Sequence, residues 1–504
     1  MSETRGAVRA GLDTEARAAT AEADRRSPVP AAASRREEHP AAGGRLSRLR
    51  LPLILVASFM MVLDFSIVNV ALPSIQRDLH LPASLDDWVV TAYAITFGGL
   101  LVLGGRAADL LGRRRLFVAG LALFSLASLS GGMASDAAML LVSRAVQGIG
   151  AALTLPAALS LITTGYPEGR ERARALGLYG ATASLGFVAG QVLGGVLVQL
   201  TTWRSVFLVN VPVGIVTVVL ALGAFRATES GRLDGALRRL DLRGAILITG
   251  AVALAVFAVS EGVVLGWGSP LVIGAVAVAA VAAAGFVAAE ARHPEPLVRL
   301  SMFRHRGLRD GSLVALLLGL WNGGEMLVLS LYLQQDLHQS PLLAGLVIAP
   351  QGAVGFLAGI FGASIARHVG GTRRLLAITG AAAAVGFLAL TQLPAHHYDG
   401  VLWAVTLVGF GTAGTSFGSI VVASDGMADA DQGLVGGVIN TARQVGAAVG
   451  ASLLPTVALA AGGHLGVAAV SGDRAAMAVG AVAAVLATAV AWRRHASRPQ
   501  TSVL

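Results

Sequence analysis

Residues 51–72 of the chain read LPLILVASFMMVLDFSIVNVAL, a stretch of 22 residues in which Asp64 is the only charged residue. At 1.5 Å per residue, an α-helix of that length spans about 33 Å, close to the thickness of the hydrocarbon core of a bilayer. The stretch therefore predicts a membrane-spanning helix that carries one carboxylate in its interior.

Thirteen similar stretches follow along the chain. Hydrophobic residues make up 55% of the sequence and charged residues 13%, with a mean hydropathy of +0.71, whereas soluble domains carry roughly 25% charged residues. We therefore predict an all-α integral membrane protein with 14 transmembrane helices. After 51–72, the predicted spans are 87–106, 116–134, 139–161, 174–199, 205–224, 244–265, 270–290, 310–333, 342–364, 374–392, 400–422, 433–456 and 474–492.

All 38 basic residues are arginines, and their distribution predicts the orientation of the chain. Short cytoplasmic loops of membrane proteins carry the excess of positive charge. With a cytoplasmic N-terminus and 14 crossings, only Arg77, Arg204 and Arg474 fall on the external side, and only Arg144 and Arg443 lie inside spans. We therefore predict a multi-pass protein of the cell (plasma) membrane with cytoplasmic N- and C-termini. Orientation and anionic membrane lipids account for the net charge of +9, so no nucleic-acid partner is expected.

Two basic stretches, 226–243 and 292–309, divide the spans into groups of six, two and six. Internal repeats of this kind are common in transporters, and the first span of each half carries an acidic residue, Asp64 or Glu325. The initial tail is either a regulatory or lipid-binding segment or a dispensable extension. The predicted organisation is a disordered cytoplasmic tail at 1–48, a six-helix bundle at 49–225, a linker with two inserted helices at 226–306, a second six-helix bundle at 307–492 and a cytoplasmic tail at 493–504.

Asp64 and Arg144 are predicted to lie at matching depths in the membrane. Asp64 is about 10 Å from the outer surface if span 1 starts near Leu51, and Arg144 is about 8 Å deep in span 4. The two residues can pair if their spans are neighbours. Because ionisable residues inside a bilayer usually mark pathways or proton relays, the pair is either a proton-coupling site or a structural ion pair.

A second candidate site surrounds Glu325 in span 9. Trp321 and Asn322 precede it by four and three residues, so each can meet Glu325 on the helix surface. An aromatic ring beside a carboxylate suits an amphipathic or cationic organic ligand, and the intervening Gly323 and Gly324 could bend the helix. Alternatively, Glu325 lies in an outer vestibule and is solvated. The predicted substrate cavity consists of Trp321, Asn322, Glu325, Asn69 and Gln147.

Signals of catalysis or metal binding are weak. The sequence has no cysteine, so it offers no disulfide, thiolate metal site or cysteine nucleophile. His396 and His397 have no converging set of ligands, and we predict no metal site. Without a phosphate-binding loop or a Ser/His/Asp grouping, neither ATP-driven transport nor an enzyme is expected. We expect a monomer that needs no cofactor and uses the proton motive force.

Seven segments, in order along the chain, resemble motifs of the major facilitator superfamily, in particular of its fourteen-helix drug:proton antiporters. The resemblance extends over nearly all of the chain between Leu51 and Trp492. The segments are LDFSIVNVALP at 63–73, GRAADLLGRRR at 105–115, RAVQGIG at 144–150, GFVAGQVLGG at 186–195, WRSVFLVNVPVG at 203–214, LYLQQ at 331–335 and GLVGGVINTARQVG at 433–446.

The resemblance assigns roles to the first three segments. In the family, the acidic residue of the first segment is associated with proton coupling and the arginine of the third stands next to it, which implies these roles for Asp64 and Arg144. In the family, the loop that the second segment resembles holds the two halves of the transporter together, which implies the same role here. On physical grounds, Asp109 could cap the N-terminus of a facing helix. The conformational residues implied in this loop are Gly105, Asp109, Gly112, Arg113 and Arg114.

The fourth segment resembles the antiporter motif, whose small residues let helices approach closely. Gln191 stands where the family commonly has proline, so the sequence departs from the pattern at the usual helix bend. The conformational residues implied here are Gly186, Gly190, Gly194 and Gly195.

Span 13 has a small, polar face. Gly433, Gly437, Asn440 and Gln444 follow helical spacing, and Arg443 lies beside them. Such a face suits contact with another helix or with a cavity. We predict a helix-packing role for these five residues, with ligand contact as the alternative.

Together, these features predict a two-lobed helical transporter that exports organic small molecules, drugs or antibiotics, in exchange for protons by alternating access. Asp64 and Arg144 are its predicted proton-coupling residues. Because one fold serves many functions, proton-coupled uptake or metabolite export is the alternative within transport. A transport-dead receptor or scaffold is the alternative outside it.

Overall fold

The structure is a computed structural model. It describes residues 48–81, 85, 88–167, 170–225, 241–293, 296, 300–392, 399–425, 427, 432–462 and 470–492. The predicted tails, apart from Arg48, lie outside the described residues, as do His396 and His397 and the segment 226–240 of the predicted linker.

Within these ranges, 14 helices are long and apolar enough to cross a membrane. This confirms the predicted all-α membrane class and the 6 + 2 + 6 plan. A single-turn helix, Ser205–Leu208, precedes α6, and a π-helical turn, Tyr332–Asp336, follows α9. The helices are α1 (Arg50–Leu79), α2 (Trp88–Leu111), α3 (Arg113–Gly132), α4 (Ala137–Gly165), α5 (Arg170–Leu200), α6 (Asn210–Ala224), α7 (Leu242–Val264), α8 (Pro270–Glu290), α9 (Arg306–Leu331), α10 (Pro341–His368), α11 (Thr372–Leu390), α12 (Asp399–Ser424), α13 (Gln432–Gly462) and α14 (Val470–Trp492).

Local sequence signals explain where several helices begin. The first backbone N–H groups of a helix lack intrahelical partners, and a polar side chain before the helix can accept from them. Asp136 accepts from the Met139 amide at the start of α4, and Ser340 accepts from the Leu343 amide at the start of α10. Such caps set the boundaries between closely spaced antiparallel spans.

The spans form two bundles. Helices α1–α6 make up the N-lobe, in which α1 packs on α5 and α4 packs on α2 and α3. Helices α9–α14 make up the C-lobe, in which α9 packs on α13 and α11 packs on α12 and α14. Each lobe has its own apolar core, with Phe117 and Phe124 in one and Trp321 and Phe387 in the other. We call the side on which α1 begins the linker side and the side on which α1 ends the distal side.

Glycines bring α9 and α13 into close contact. A Cβ added at Gly323 would overlap the carbonyl oxygen of Ala447, and one added at Gly450 would overlap the carbonyl oxygen of Leu320. Helix α9 is continuous through Gly323 and Gly324. The two glycines that we expected to bend the helix therefore serve its packing against α13, where small residues allow the backbones to approach.

The two additional helices lie outside the bundles. Helix α8 packs on α7, whereas α7 also contacts α2 of the N-lobe and α13 of the C-lobe. The Ser260 hydroxyl of α7 hydrogen-bonds the Ser452 hydroxyl of α13 at 2.5 Å. Helix α7 thus lies across the junction of the lobes. The lobes themselves meet along α5 and α10, α2 and α13, and α1 and α9.

Candidate functional site

Asp64 lies at the centre of a buried polar cluster in the N-lobe. Both Asp64 and Arg144 have 0% of their side chains exposed, and the Arg144 guanidinium donates to Asp64 Oδ2 at 2.6 Å. The side-chain amides of Gln147 and Asn210 donate to Asp64 Oδ1 at 3.0 and 2.7 Å. The structure thus brings the predicted pair together and surrounds the carboxylate with three donor groups.

Three helices supply this cluster. Arg144 and Gln147 are one turn apart on α4 and face α1 together, and Arg144 Nη1 also donates to Gln147 Oε1 at 2.9 Å. Asn210 is the first residue of α6. The sequence interpretation gave Asn210 no role. An amide in an otherwise apolar span was the signal that could have identified it.

The start of α6 is anchored to the distal end of α1. Asp78 Oδ2 accepts from the Trp203 indole N–H at 2.8 Å and from the Arg204 guanidinium at 2.6 Å. Arg204 also donates to the Ala134 carbonyl oxygen at 3.2 Å. These contacts hold the polypeptide just before Asn210 and so position the amide that reaches Asp64.

A cavity of about 280 Å³ lies between the two lobes. The N-lobe side of its wall is apolar and aromatic, and the Tyr93 hydroxyl is its one side-chain polar group. The residues on this side are Met61, Val62, Phe65, Tyr93, Phe97, Leu155 and Phe187.

The C-lobe side of the cavity is polar. It carries amide, hydroxyl and guanidinium groups from α9, α10, α12 and α13, and its remaining members are small or aliphatic. The polar residues are Asn322, Gln351, Thr412, Ser416, Arg443 and Gln444.

Two aromatic residues connect the Asp64 cluster with the cavity. The Arg144 guanidinium carbon lies 4.7 Å from the centre of the Tyr93 ring. Phe65 follows Asp64 on α1, and its ring centre is 6.0 Å from that of Tyr93. Because Phe65 and Tyr93 both line the cavity, a change at the buried ion pair can reach the cavity wall through them.

The structure brings only part of the predicted substrate cavity to the inter-lobe cavity. Of its five predicted residues, Asn322 lines the cavity, whereas Trp321, Glu325, Asn69 and Gln147 do not. Gln147 belongs to the Asp64 cluster. Asn69 is 2% exposed, and its amide donates to the Phe65 carbonyl oxygen of its own helix at 3.0 Å. Helical spacing predicts which residues share a face but not which neighbour covers that face.

Trp321 points into the C-lobe core. Its indole N–H donates to the Thr412 hydroxyl at 3.1 Å, and its ring packs against Phe387. In this arrangement the ring lies in the lobe core and not on the cavity wall, so the predicted ligand contact through Trp321 stays a prediction. Trp321 has 0% exposure because α9 turns this side toward α11 and α12.

Glu325 is also enclosed in the C-lobe. Its side chain has no exposed surface, and the Gln351 amide donates to Oε2 at 3.0 Å. The alternative of a solvated Glu325 in an outer vestibule is therefore wrong. Since Gln351 lines the cavity, Glu325 lies one side chain behind the cavity wall.

The polar face of α13 is divided between packing and the cavity. Arg443 and Gln444 line the cavity, so the predicted packing role is incomplete for both. Asn440 accepts from the Arg443 guanidinium at 2.6 Å, and a Cβ at Gly437 would meet Val102 of α2 at 3.8 Å. Gln444 also packs on α2, where a Cβ added at Gly98 would lie 2.5 Å from the Gln444 Cβ, and the close contacts with α9 involve the glycines at 446 and 450. The surroundings of Gly433 lie outside the described part of the structure.

The loop between α2 and α3 contacts its own lobe. Asp109 pairs with Arg113 at 3.2 Å, and Arg114 donates to the Leu222 carbonyl oxygen of α6 at 2.5 Å. Gly112 has φ +101°, a conformation that favours glycine, which explains the glycine in this tight turn. In the part of the chain that the structure describes, Asp109 caps no facing helix. Gly105 faces Pro156 of α4, at 3.6 Å from a Cβ added to it.

The glycines of α5 serve two different contacts. A Cβ added at Gly186 or Gly190 would crowd backbone atoms of α1, and one added at Gly194 would crowd Ile67. Gly195 instead faces α10 of the other lobe, where a Cβ would lie 2.7 Å from the Pro341 carbonyl oxygen. Close packing is thus observed for all four predicted glycines.

Gln191 occupies the position of the missing proline. Helix α5 runs uninterrupted from Arg170 to Leu200. The Gln191 side chain is buried and its amide donates to the Ser66 hydroxyl of α1 at 2.9 Å. At the position where the family commonly has a proline, this chain therefore has a hydrogen bond between α1 and α5.

Hydrogen bonds join the lobes toward the distal side. The Ser330 hydroxyl donates to the Asn69 carbonyl oxygen at 2.8 Å, and the Gln334 amide donates to the Val70 carbonyl oxygen at 3.0 Å. Further out, the Gln335 amide donates to Gln76 Oε1 at 2.8 Å. The sequence interpretation noted this segment only as a motif. Its role in joining the lobes comes from the structure.

Comparisons with known proteins agree with this architecture. A sequence profile of the Major Facilitator Superfamily matches residues 54–451. A puromycin resistance protein of Streptomyces alboniger is 40% identical over 422 residues, which cover 82% of each chain. A cephamycin export protein of Amycolatopsis lactamdurans is 39% identical over 417 residues, 81% of this chain and 84% of that one.

A solved structure shows the same fold at low sequence identity. The crystal structure of a bacterial homologue of the human lysosomal transporter Spinster, in an inward-facing and occupied conformation, superposes with a TM-score of 0.67. It is 15% identical and covers 90% of this chain and 97% of that one.

Proposed function

Because this chain belongs to the major facilitator superfamily of membrane transport proteins, we propose that it exports organic small molecules in exchange for protons. The two curated relatives are named for resistance to one antibiotic and for export of another. We extend that activity to this chain, with drugs or antibiotics as the substrate class. The proposal places the termini and the linker side in the cytoplasm.

The observation that carries the proposal is the proximity of a buried carboxylate and an inter-lobe cavity. The cavity is where a major facilitator protein would hold its substrate while the lobes move around it. It is joined to the Asp64–Arg144 pair through Phe65 and Tyr93. Proton-coupled alternating access then requires that the protonation of Asp64 changes the arrangement of the lobes.

Protonation of Asp64 would change that arrangement for an electrostatic reason. In the structure the carboxylate is neutralised by Arg144 and accepts from two amides. A proton on Asp64 would leave the Arg144 cation buried without a counter-charge, which is strongly unfavourable. Protonation would therefore favour a state in which α1 and α4 separate. The membrane potential adds about 2.3 kcal/mol per transferred charge per 100 mV.

Proton flux in everted vesicles tests the proposal. Vesicles acidified by respiration are offered a panel of neutral, cationic and anionic drugs, and the internal pH is followed. We expect wild type to release protons when its substrate is added and the Asp64→Asn variant to release none. Asp425→Asn is the control, because Asp425 is exposed, pairs with Arg373 in the C-lobe and should leave release intact.

Other outcomes would change the proposal in distinct ways. Release that persists undiminished in Asp64→Asn would remove Asp64 from proton coupling. Drug accumulation by cells that rises with expression of the protein would indicate uptake. No flux of any compound, with the protein correctly inserted, would favour a receptor or scaffold.

A further inference from the structure

The inter-lobe cavity contains one charged side chain, Arg443 of α13. Among the residues described, the guanidinium contacts Asn440 Oδ1 at 2.6 Å and the Ser416 hydroxyl at 3.5 Å, and no carboxylate pairs with it. A positive charge inside a membrane span costs free energy when no acidic residue neutralises it, and native structures normally pair such an arginine. The cation is therefore free to bind an anion that enters the cavity.

The nearby acids are already committed to other partners. Asp64 is neutralised by Arg144 in the N-lobe, and Glu325 accepts from Gln351 and has no exposed surface. Neither acid lines the cavity. The electrostatic field that a ligand meets is thus set by a positive charge, which argues against the cationic ligand that the Trp321–Glu325 motif predicts.

The cavity wall also specifies how a ligand would lie. The aromatic rings of Phe65, Tyr93 and Phe187 form the N-lobe side, which suits an apolar or aromatic body. On the opposite side, the side-chain amides of Asn322 and Gln444 line the cavity together with Arg443 and supply further donors. A guanidinium can donate two parallel hydrogen bonds to a carboxylate, sulfonate or phosphate.

We infer that the substrate is an amphipathic organic anion, with its acidic group on Arg443 and its apolar body against the N-lobe aromatics. This inference rests on the proposed export function and adds the substrate class. It also makes Arg443 the specificity-determining residue of the cavity, a different role from the helix packing predicted from the sequence.

Three dansyl probes of nearly equal shape test the charge preference. They are N-dansyl-phenylalanine, an anion at pH 7, its neutral N-methylamide and its permanently cationic trimethylammonioethyl amide. Binding to the full-length protein in nanodiscs of zwitterionic lipid is measured by dansyl fluorescence, with empty nanodiscs as background. We expect wild type to bind the anion most tightly.

Substitution of Arg443 then separates charge recognition from folding. We expect Arg443→Gln to weaken anion binding roughly 10- to 100-fold, the range for hydrogen bonds to charged groups, and to change neutral-probe binding less than about twofold. Arg443→Lys should be intermediate, because it keeps the charge and loses the two-point geometry. Arg367→Gln is the matched control, since Arg367 is exposed in the last turn of α10 and contacts Ser364. It should leave all three affinities unchanged.

Retained binding of the neutral probe shows that Arg443→Gln is folded. Equal loss of anionic and neutral probes, or tighter binding of the cation by wild type, would overturn the inference. Such a result leaves the proposed function intact if the vesicles still show proton release with a neutral or cationic drug. A protein that binds none of the probes and shows no release with any drug would overturn both.

Discussion

At the scale of single residues, the Asp64–Arg144 pair is asymmetric. Both oxygens of the carboxylate accept hydrogen bonds, whereas Arg144 Nη2 is buried and has no partner among the residues that the structure describes. Arg144 Nε donates to the Val89 carbonyl oxygen of α2 at 2.8 Å. The carboxylate is thus satisfied on both oxygens, whereas the guanidinium retains one unused donor, a combination that suits a pair able to rearrange.

The energy of this pair can be measured with a double-mutant cycle. We expect Arg144→Gln to lower the free energy of unfolding by about 3–5 kcal/mol, because Asp64 is left buried and uncompensated. Adding Asp64→Asn should recover part of the loss, with a coupling energy of about 0.5–3 kcal/mol. Denaturant unfolding in detergent micelles gives all the values.

A second arginine–aspartate pair provides the control for that cycle. Arg204 and Asp78 are also 2.6 Å apart but are 34% and 48% exposed. Because exposed pairs contribute about 0–1 kcal/mol, Arg204→Gln should have a small effect. Equal losses at Arg144 and Arg204 would show that burial does not control the strength of the Asp64 pair.

At the scale of helices, glycine determines which pairs come closest. Gly323 of α9 and Gly450 of α13 each stand against a carbonyl oxygen of the facing helix. Between membrane helices there is little hydrophobic driving force, so close packing carries much of the association energy. Helix α8 shows the opposite case, since among the described helices its main partner is α7 and most of its side chains are exposed.

Substitution at the α9–α13 contact should be costly. We expect Gly323→Ala to destabilise the protein by about 1–3 kcal/mol, the usual range for overpacking. Gly250→Ala in α7 is the matched control, because nothing lies within 4 Å of a Cβ added there. Thermal unfolding of both variants in the same detergent tests this. A Gly323→Ala variant as stable as Gly250→Ala would mean that α9 and α13 do not pack this closely.

At the scale of the whole molecule, the lobes are joined at the distal side. Ser330, Gln334 and Gln335 of the C-lobe reach α1 there. Toward the linker side, where α5 begins, the helix is less closely packed, since a Cβ added at Gly177 or Gly180 would have no atom within 4 Å. Transport by alternating access would require the distal hydrogen bonds to break in the other state.

Cross-linking tests whether the distal contact opens during transport. The native chain contains no cysteine, so introduced cysteines are the only thiols. A Gln76→Cys/Gln335→Cys double variant should be joined by a short bis-methanethiosulfonate reagent, because these side chains are 2.8 Å apart. We expect the cross-link to abolish drug export and a reductant to restore it. Each single cysteine variant should be insensitive to the reagent. Full export by the cross-linked protein would show that the distal contact stays closed during transport.

Much of this architecture follows from the sequence alone. Apolar stretches of bilayer length predict the 14 helices, and the backbone must form helices there because lipid offers no hydrogen bonds. The matching depth of Asp64 and Arg144 also follows from the sequence, since both are rare charges inside apolar spans. Their contact depended on whether spans 1 and 4 are neighbours, and the structure shows that they are.

The composition of the cavity required the tertiary structure. Trp321, Glu325 and Arg443 are all polar or aromatic residues in otherwise apolar spans. Their positions in the sequence do not show which of them faces the cavity. Only the contacts of Trp321 with Phe387 of α11 and Thr412 of α12 enclose it, and only the position of α13 beside the N-lobe exposes Arg443 to the cavity. The physical reason is that a membrane helix is apolar on every side, so its sequence pattern does not distinguish lipid, protein core and cavity.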